Sequence, residues 1–214
     1  MSTPLSNSDA SLTINILTRT GRRPVYFSKL YQSIQQQSYR NIHHIISNDN
    51  PKCNYLNDVR NKTNTSVLTV TRGDGDGFYN IYLNQLASKA KNGWVIILDD
   101  DSYIINDSFI EELAKRCEVI SPNDVLIFQS YIFPHRRLIP KQHHFAQQKI
   151  ERLDFDMACF CVHTSVFNHH KFTNKRMGDY NFMKRLEESG KYNLVFSDLP
   201  PGIWANYDGA KHGK

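Results

Sequence analysis

The sequence predicts an α/β fold, a mostly parallel central sheet with helices on both faces. Three observations predict it. Short β-branched apolar runs alternate with segments at helical spacing between residues 13 and 133, in the order β-α-β, β-α-β-α-β. One run, residues 94–98 (WVIIL), is almost continuously apolar, as suits a central strand covered on both faces. The 214 residues, 40% of them hydrophobic and 12% aromatic, are enough to bury one sizeable core and argue against disorder.

Residues 13–18 (TINILT) read as the first strand, broken by Thr20-Gly21. Pro24 then opens a helix, with Val25, Phe27, Leu30, Tyr31 and Ile34 at helical spacing and an end expected near Tyr39. Residues 42–47 (IHHIIS) and 66–71 read as the second and third strands. The GDGDG of residues 73–77 breaks the chain before a helix over 78–91, which Asn92-Gly93 terminates. After the WVIIL strand, Ser108 and Glu111 suggest a capping box for a helix carrying Phe109, Ile110, Leu113 and Cys117. Residues 125–133 are expected as one strand, 134–152 as basic loop or short helix, and 155–166 as another strand. A helix over 178–189 stops at Gly190, residues 193–196 form a last strand, and the tail is read as irregular. Residues 1–10 read as a loose leader, and 11–214 as a single domain with halves at 11–101 and 102–214.

The net charge is +5, but it is not spread evenly. Residues 1–98 carry 11 basic and 5 acidic side chains, 99–133 carry 2 and 8, 134–176 carry 8 and 3, and 177–214 carry 5 of each. An acidic block between basic ones is not the pattern of a uniform polycation, and no helix-turn-helix, RNP or zinc-finger signature supports a nucleic-acid module. No apolar run reaches the roughly 20 residues of a membrane span, and no signal-peptide apolar region is present. The four cysteines, Cys53, Cys117, Cys159 and Cys161, are too few for a disulfide scaffold, and no C-x-x-C pair exists. Cys159 and Cys161 read as small buried hydrophobes, and a reducing, cytoplasmic compartment is expected.

In open parallel sheets a ligand binds beyond the carboxyl ends of the strands. The strand ends to examine are residues 18–23, 48–50, 72–76 and 99–101. Asp99-Asp100-Asp101 is the strongest signal. Three adjacent carboxylates repel one another unless they face water or share a cation. In extended backbone Asp99 and Asp101 point one way and Asp100 the other. Hard oxygen donors suit Mg²⁺ or Mn²⁺, which share their shell with phosphate oxygens. The triplet is otherwise a solvated acidic turn capping the next helix; its place directly after WVIIL favours the cation site.

These residues resemble the GT-A (nucleotide-diphospho-sugar transferase) fold glycosyltransferases, family 2 in particular, including the small viral kind. The likeness rests on a first strand ending in Thr18-Arg19-Thr20, a helix closing in QQQSY, a second strand ending in Asn48-Asp49, the D-x-D at 99–101, and Gly178-Asp179 opening a late helix. It implies transfer of a sugar from a nucleotide-diphosphate donor, UDP-linked, to a hydroxyl acceptor on a glycan, glycoprotein or other molecule, with Mn²⁺ or Mg²⁺. It implies that Thr18, Arg19, Thr20, Asp49, Asp99 and Asp100 form the nucleotide side, Asp49 accepting from a uracil-type N3–H. Asp99 and Asp101 would hold the metal, with His212 as a further ligand. Asp179 matches the catalytic base of an inverting enzyme, although Gly178 stands where the family usually has Glu. Asp156 is the reserve carboxylate.

Other residues carry weaker expectations. Arg136, Arg137 and Lys141 are either diphosphate contacts or a solubilising loop. Trp204 and Tyr207 either stack on a sugar or pack the tail down. The pairs His43/His44, His143/His144 and His169/His170 lack the i, i+4 zincin spacing and read as surface or core histidines. Two competing functions remain at this point: a sugar nucleotidyltransferase on a related fold, for which Thr20-Gly21-Arg22-Arg23 is a poor phosphate loop, and a non-enzymatic basic nucleic-acid-binding module.

Overall fold

The computed structural model describes residues 12–50, 52, 54–70, 78–134 and 136–206. The expected leader over 1–10, Cys53, the GDGDG segment, Tyr207 and His212 lie outside the described residues.

A seven-stranded sheet forms the centre, in the order β10-β6-β9-β4-β1-β2-β3. Its strands are β1 (Ile14–Thr20), β2 (Ile42–Asn48), β3 (Thr65–Thr69), β4 (Trp94–Ile97), β6 (Asp124–Ile127), β9 (Phe160–His163) and β10 (Asn193–Phe196). All neighbours run parallel except β9, which is antiparallel to both β4 and β6. β1, β2 and β4 are buried nearly throughout, because helices cover both faces and no polar alternation is needed. A second sheet orders as β5-β11-β7-β8, with β5 (Tyr103–Ile104), β7 (Ser130–Phe133), β8 (Arg137–Ile139) and β11 (Ile203–Asn206). Seven helices complete the described chain: α1 (Pro24–Gln35), α2 (Asn57–Arg60), α3 (Phe78–Ala87), α4 (Phe109–Glu118), α5 (Gln142–Ala146), α6 (Val166–His169) and α7 (Gly178–Glu188).

The parallel sheet, its position and the order of its strands through β4 follow the sequence pattern. Four details do not. The run over 125–133 is two strands, not one. Phe128 and Gln129 carry the chain from one sheet to the other, and the buried Gln129 and Ser130 side chains meet the carbonyls of Pro140 (2.8 Å) and Ala158 (2.6 Å) at the crossing. Residues 157–159 form a single 3₁₀ turn rather than strand. The tail contains β11, which pairs with β7 and β5 across long sequence separations. No capping box forms on α4: Ser108 Oγ lies within hydrogen-bond reach of Asn106 Oδ1 (3.0 Å) and Glu112 Oε1 (2.8 Å), while Glu111 binds Ser38 and Lys115.

α1 also stops four residues short of the expected end. Gln37, 1% exposed, turns inward instead, donating to Ser33 and Asn106 carbonyls and accepting from the Ile110 N–H. Val25 faces solvent, whereas Phe27, Leu30 and Ile34 are buried. The cysteines behave as small hydrophobes, with Cys117, Cys159 and Cys161 free and buried. Before β4 the chain passes through Gly93 at φ +148°, where an added Cβ would lie 2.2 Å from the Thr13 carbonyl oxygen. That carbonyl accepts the Trp94 N–H at the start of the central strand. Gly93→Ala is therefore expected to destabilise the protein by about 1–3 kcal/mol, read as a lower urea midpoint at unchanged slope.

Candidate active site

The carboxyl ends of β1, β2 and β4 meet at one edge of the sheet, and the residues there converge. Strand β1 delivers Arg19 and Thr20. Arg19 makes a fork with Asp99, Nε to Oδ1 at 2.7 Å and Nη2 to Oδ2 at 2.5 Å. Such bidentate pairs fix geometry as well as charge. The Arg19 guanidinium also lies 5.1 Å from the Tyr79 ring centre and donates to Asn80 Oδ1 at 3.3 Å. Thr20 Oγ1 donates to Asp100 Oδ2 at 2.7 Å and pairs with the Tyr55 hydroxyl at 2.6 Å.

The three aspartates do not alternate as extended backbone would place them. The strand ends at Ile97 and the chain turns, with the Ser102 N–H returning to the Asp99 carbonyl. Asp100 and Asp101 consequently converge on one guanidinium, Arg23, while Asp99 turns to Arg19. Asp100 is 1% exposed and acts as a buried anchor between Thr20 and Arg23. Burial pushes its carboxyl up to about 7 and that of Asp101 up to about 6, and neighbouring aspartates push the same way.

Thr18 is fully buried and bonds His44 at 2.9 Å beneath this edge, so its side chain is not brought to the site surface. Burial holds His44 well below the usual range, at about 3, so it is a neutral core residue. Asp49 is exposed at the end of β2, and its backbone N–H donates to the Thr20 carbonyl. Its carboxylate lies where a Cβ on Gly21 would be, so a residue without a side chain is needed there.

The second half of the chain brings two more carboxylates to the same place. Asp156 caps the 3₁₀ turn, accepting from the Ala158 N–H at 2.9 Å. Asp179 lies in the first turn of α7, entered through Met177 in the left-handed region (φ 58°). Burial raises Asp156 to about 7, with Asp179, Asp99 and Asp101 adding repulsion. Burial also raises Asp179, to about 6, although the Tyr180 N–H and Arg19 favour its charged form. Five carboxylates, Asp99, Asp100, Asp101, Asp156 and Asp179, thus surround two guanidinium groups, Arg19 and Arg23. A surplus of negative charge in a partly buried site has room for a cation.

Arg23 lies in the strand end over 18–23 that the sequence marks, but two residues of this network carry no local signature in the sequence: Asn80 and Tyr55. Asn80 is fully buried. Its Nδ2 donates to the Lys175 carbonyl at 2.7 Å, while its Oδ1 accepts from Arg19. Its amide also fills the space beside Gly178, where an added Cβ would lie 2.5 Å from Nδ2. This explains the glycine before Asp179: the asparagine amide occupies the position of a side chain. One turn along α3, Asn84 exchanges two hydrogen bonds with Phe172, Nδ2 to O at 2.9 Å and N to Oδ1 at 2.8 Å. Asparagines at i and i+4 on one helix are the pattern that marks this seam.

A sequence profile described as glycosyl transferase family 2 matches residues 20–183, most of the chain and every site residue after Arg19. The chain belongs to that family. Its central sheet is that of the GT-A fold. Residues 1–349 of TarS from S. aureus in complex with UDP superpose with a TM-score of 0.71 at 18% identity, covering 91% of this chain and 60% of that one. The same TarS segment with UDP-GlcNAc gives 0.67 at 16%, covering 91% and 58%. The mannosyltransferase PcManGT from Pyrobaculum calidifontis, in complex with GDP-Man and Mn²⁺, gives 0.67 at 11%, covering 96% and 59%. The chain spans about three fifths of the length of those structures. No curated protein sequence matches it. No helix among the described residues is long and apolar enough to cross a membrane.

The metal site can be judged on its donors. Among the described residues no group of three His, Cys, Asp or Glu side chains is arranged to hold an ion. Asp99 and Asp101 nevertheless offer only hard carboxylate oxygens at the strand end, the donor type that Mg²⁺ and Mn²⁺ select. Arg19 holds both oxygens of Asp99 and Arg23 holds Asp101 Oδ2, so a cation there would take most of its ligands from a diphosphate and water.

Proposed function

We propose that the protein moves a sugar from a UDP-linked donor to a hydroxyl acceptor, with inversion, using Mn²⁺ or Mg²⁺ and Asp179 as general base. One observation carries the reading: the Arg19–Asp99 fork, Asp101 and Asp179 come from both halves of the chain to a single carboxylate-rich edge of the sheet. The complexes of structurally similar proteins with UDP, UDP-GlcNAc and GDP-Man support a nucleotide-sugar donor.

Displacement at the anomeric carbon forms a bond from the acceptor oxygen to C1 and breaks the bond from C1 to the diphosphate oxygen. The acceptor hydroxyl must lose its proton as it attacks. Asp179 suits this role better than Asp156. It stands where the resemblance puts the family's catalytic base, and burial raises its carboxyl toward the pH at which a base works, as it does that of Asp156. Asp49 would accept from the N3–H of uracil, and Asp99, oriented by Arg19, from ribose hydroxyls. A cation held by Asp101, with Asp99, would act as Lewis acid on the departing nucleoside diphosphate. Arg19 and Arg23 would offset the charge of the same group.

The donor reading is tested by thermal stability with UDP, GDP and dTDP, with and without Mn²⁺. UDP with Mn²⁺ is expected to raise the melting temperature, and Asp101→Asn to remove the metal-dependent part of that rise. At one hundred times its dissociation constant a ligand stabilises by about 2.7 kcal/mol, several degrees for a chain of this size. If no nucleoside diphosphate gives a metal-dependent shift and Asp101→Asn changes nothing, the reading fails.

A further inference from the structure

A cleft of about 240 Å³ opens beside Asp101, lined by Tyr26, Lys29, Asp101, Tyr103, Phe133 and Trp204. Three strands of the second sheet build its aromatic wall. The Trp204 ring on β11 has Tyr103, Phe133 and Tyr131 around it, with ring centres 5.8, 5.5 and 6.4 Å away. The Lys29 ammonium sits 4.9 Å from the Tyr103 ring centre, and the Arg136 guanidinium 5.8 Å from that of Trp204. Phe133 remains 43% exposed at the edge of this wall.

We propose that this cleft is the acceptor subsite and holds one neutral pyranose ring of a saccharide, its C–H face laid on Trp204. The inference rests on the glycosyltransferase reading above and names the substrate class of that site. Its first ground is continuity. Asp101 belongs both to the carboxylate cluster and to the cleft wall, so an occupant of the cleft lies next to the departing diphosphate. Its second ground is size. The volume is below the roughly 300–1,000 Å³ of pockets that take drug-sized molecules, so the cleft takes a small group.

The third ground is chemistry. An aromatic face carries partial negative charge and accepts the weakly positive axial C–H groups of a sugar. The hydroxyls at the rim of that sugar need partners of both kinds. Asp101 supplies an acceptor and Lys29 a donor, one charge of each sign on the same wall. Lys29 and Arg136 could also meet a phosphate, so a polyprenyl phosphate is the competing occupant that a titration separates.

The chain has two tryptophans, and Trp94 is only 2% exposed in the central sheet, so a change of emission on ligand addition reports on Trp204. The experiment titrates the full chain with the methyl glycosides of glucose, galactose, mannose and N-acetylglucosamine, with disaccharides built from them, and with vesicles containing a polyprenyl phosphate. At least one saccharide is expected to shift the emission saturably. Phe133→Ala, a change at an exposed position, should weaken that binding roughly three- to ten-fold while the melting-temperature rise with UDP and Mn²⁺ persists. The proposal is overturned if UDP stabilises the protein yet no saccharide shifts the emission, if the polyprenyl phosphate shifts it and the sugars do not, or if Phe133→Ala leaves sugar affinity unchanged. Absence of any nucleotide-induced stabilisation would instead remove the donor reading, and the acceptor role of the cleft with it.

Discussion

Asp179→Asn is expected to lower kcat for sugar transfer by about 10²–10⁴-fold while leaving the donor KM within about two-fold of its original value. The amide is nearly isosteric and can still accept from the Tyr180 N–H, so the first turn of α7 should keep its shape. What it cannot do is take up the acceptor proton. The unaltered enzyme should lose activity as pH falls through about 6, where burial has placed the Asp179 carboxyl, and the residual activity of the variant should lack that limb. A variant that keeps both full activity and the acid limb would move the role to Asp156.

The same substitution should raise stability. A carboxyl whose folded pKa is raised from 3.8 to about 6 binds its proton more tightly folded than unfolded. Its stabilising contribution is then complete below about 4 and disappears as pH rises through about 6. Above that, the folded state carries the full cost of a partly buried charge. Asp179→Asn removes this cost, so at pH 8 the variant should melt at or above the unaltered protein, with the gap closing toward pH 4. Loss of activity with gain of stability is the combination expected of a functional residue held in an unfavourable setting, and a structural N-cap would show the reverse.

Much of this site was readable along the chain, for a local reason. β1, β2 and β4 are short apolar runs whose ends are marked by polar residues, and parallel strands must present those ends at one edge. Arg19, Asp49, Asp99 and Asp101 fall there from strand order alone. Side-chain direction was less legible. The alternation expected of Asp99, Asp100 and Asp101 holds only in extended backbone, and the turn after Ile97 sends Asp100 and Asp101 to the same arginine. The crossing at Phe128–Gln129 was hidden because burial runs unbroken from Val125 to Ser130, so one long strand and two short ones look alike. β11 depends on pairing with β7, more than seventy residues away, and four residues of tail carry no signal for that. The aromatic cleft inherits this blindness, since Tyr103, Phe133 and Trp204 come from three separate strands of the second sheet.

Asn80 is the clearest case of a residue visible only in three dimensions, and it supports the other large prediction. Its amide ties Arg19, and through it Asp99, to the Lys175 carbonyl three residues before α7. Asn80→Ala leaves that carbonyl without its partner and frees one arm of Arg19, a loss of about 1–3 kcal/mol for a buried polar group. The larger effect should be on turnover. If α7 shifts by about 1 Å relative to the donor end of the site, kcat should fall on the order of 10²-fold, because reacting groups must lie within close reach. Gly178→Ala should do the same from the opposite side, its Cβ pressing on the Asn80 amide at 2.5 Å. The double variant separates positioning from simple damage. Removing the Asn80 amide makes room for the new Cβ, so Asn80→Ala with Gly178→Ala should lose less stability and less kcat than the two single changes combined, a coupling of roughly 0.5–3 kcal/mol in a double-mutant cycle. Strict additivity would mean that the two residues act independently and that the seam between α3 and the approach to α7 does not set the spacing between the donor end and Asp179.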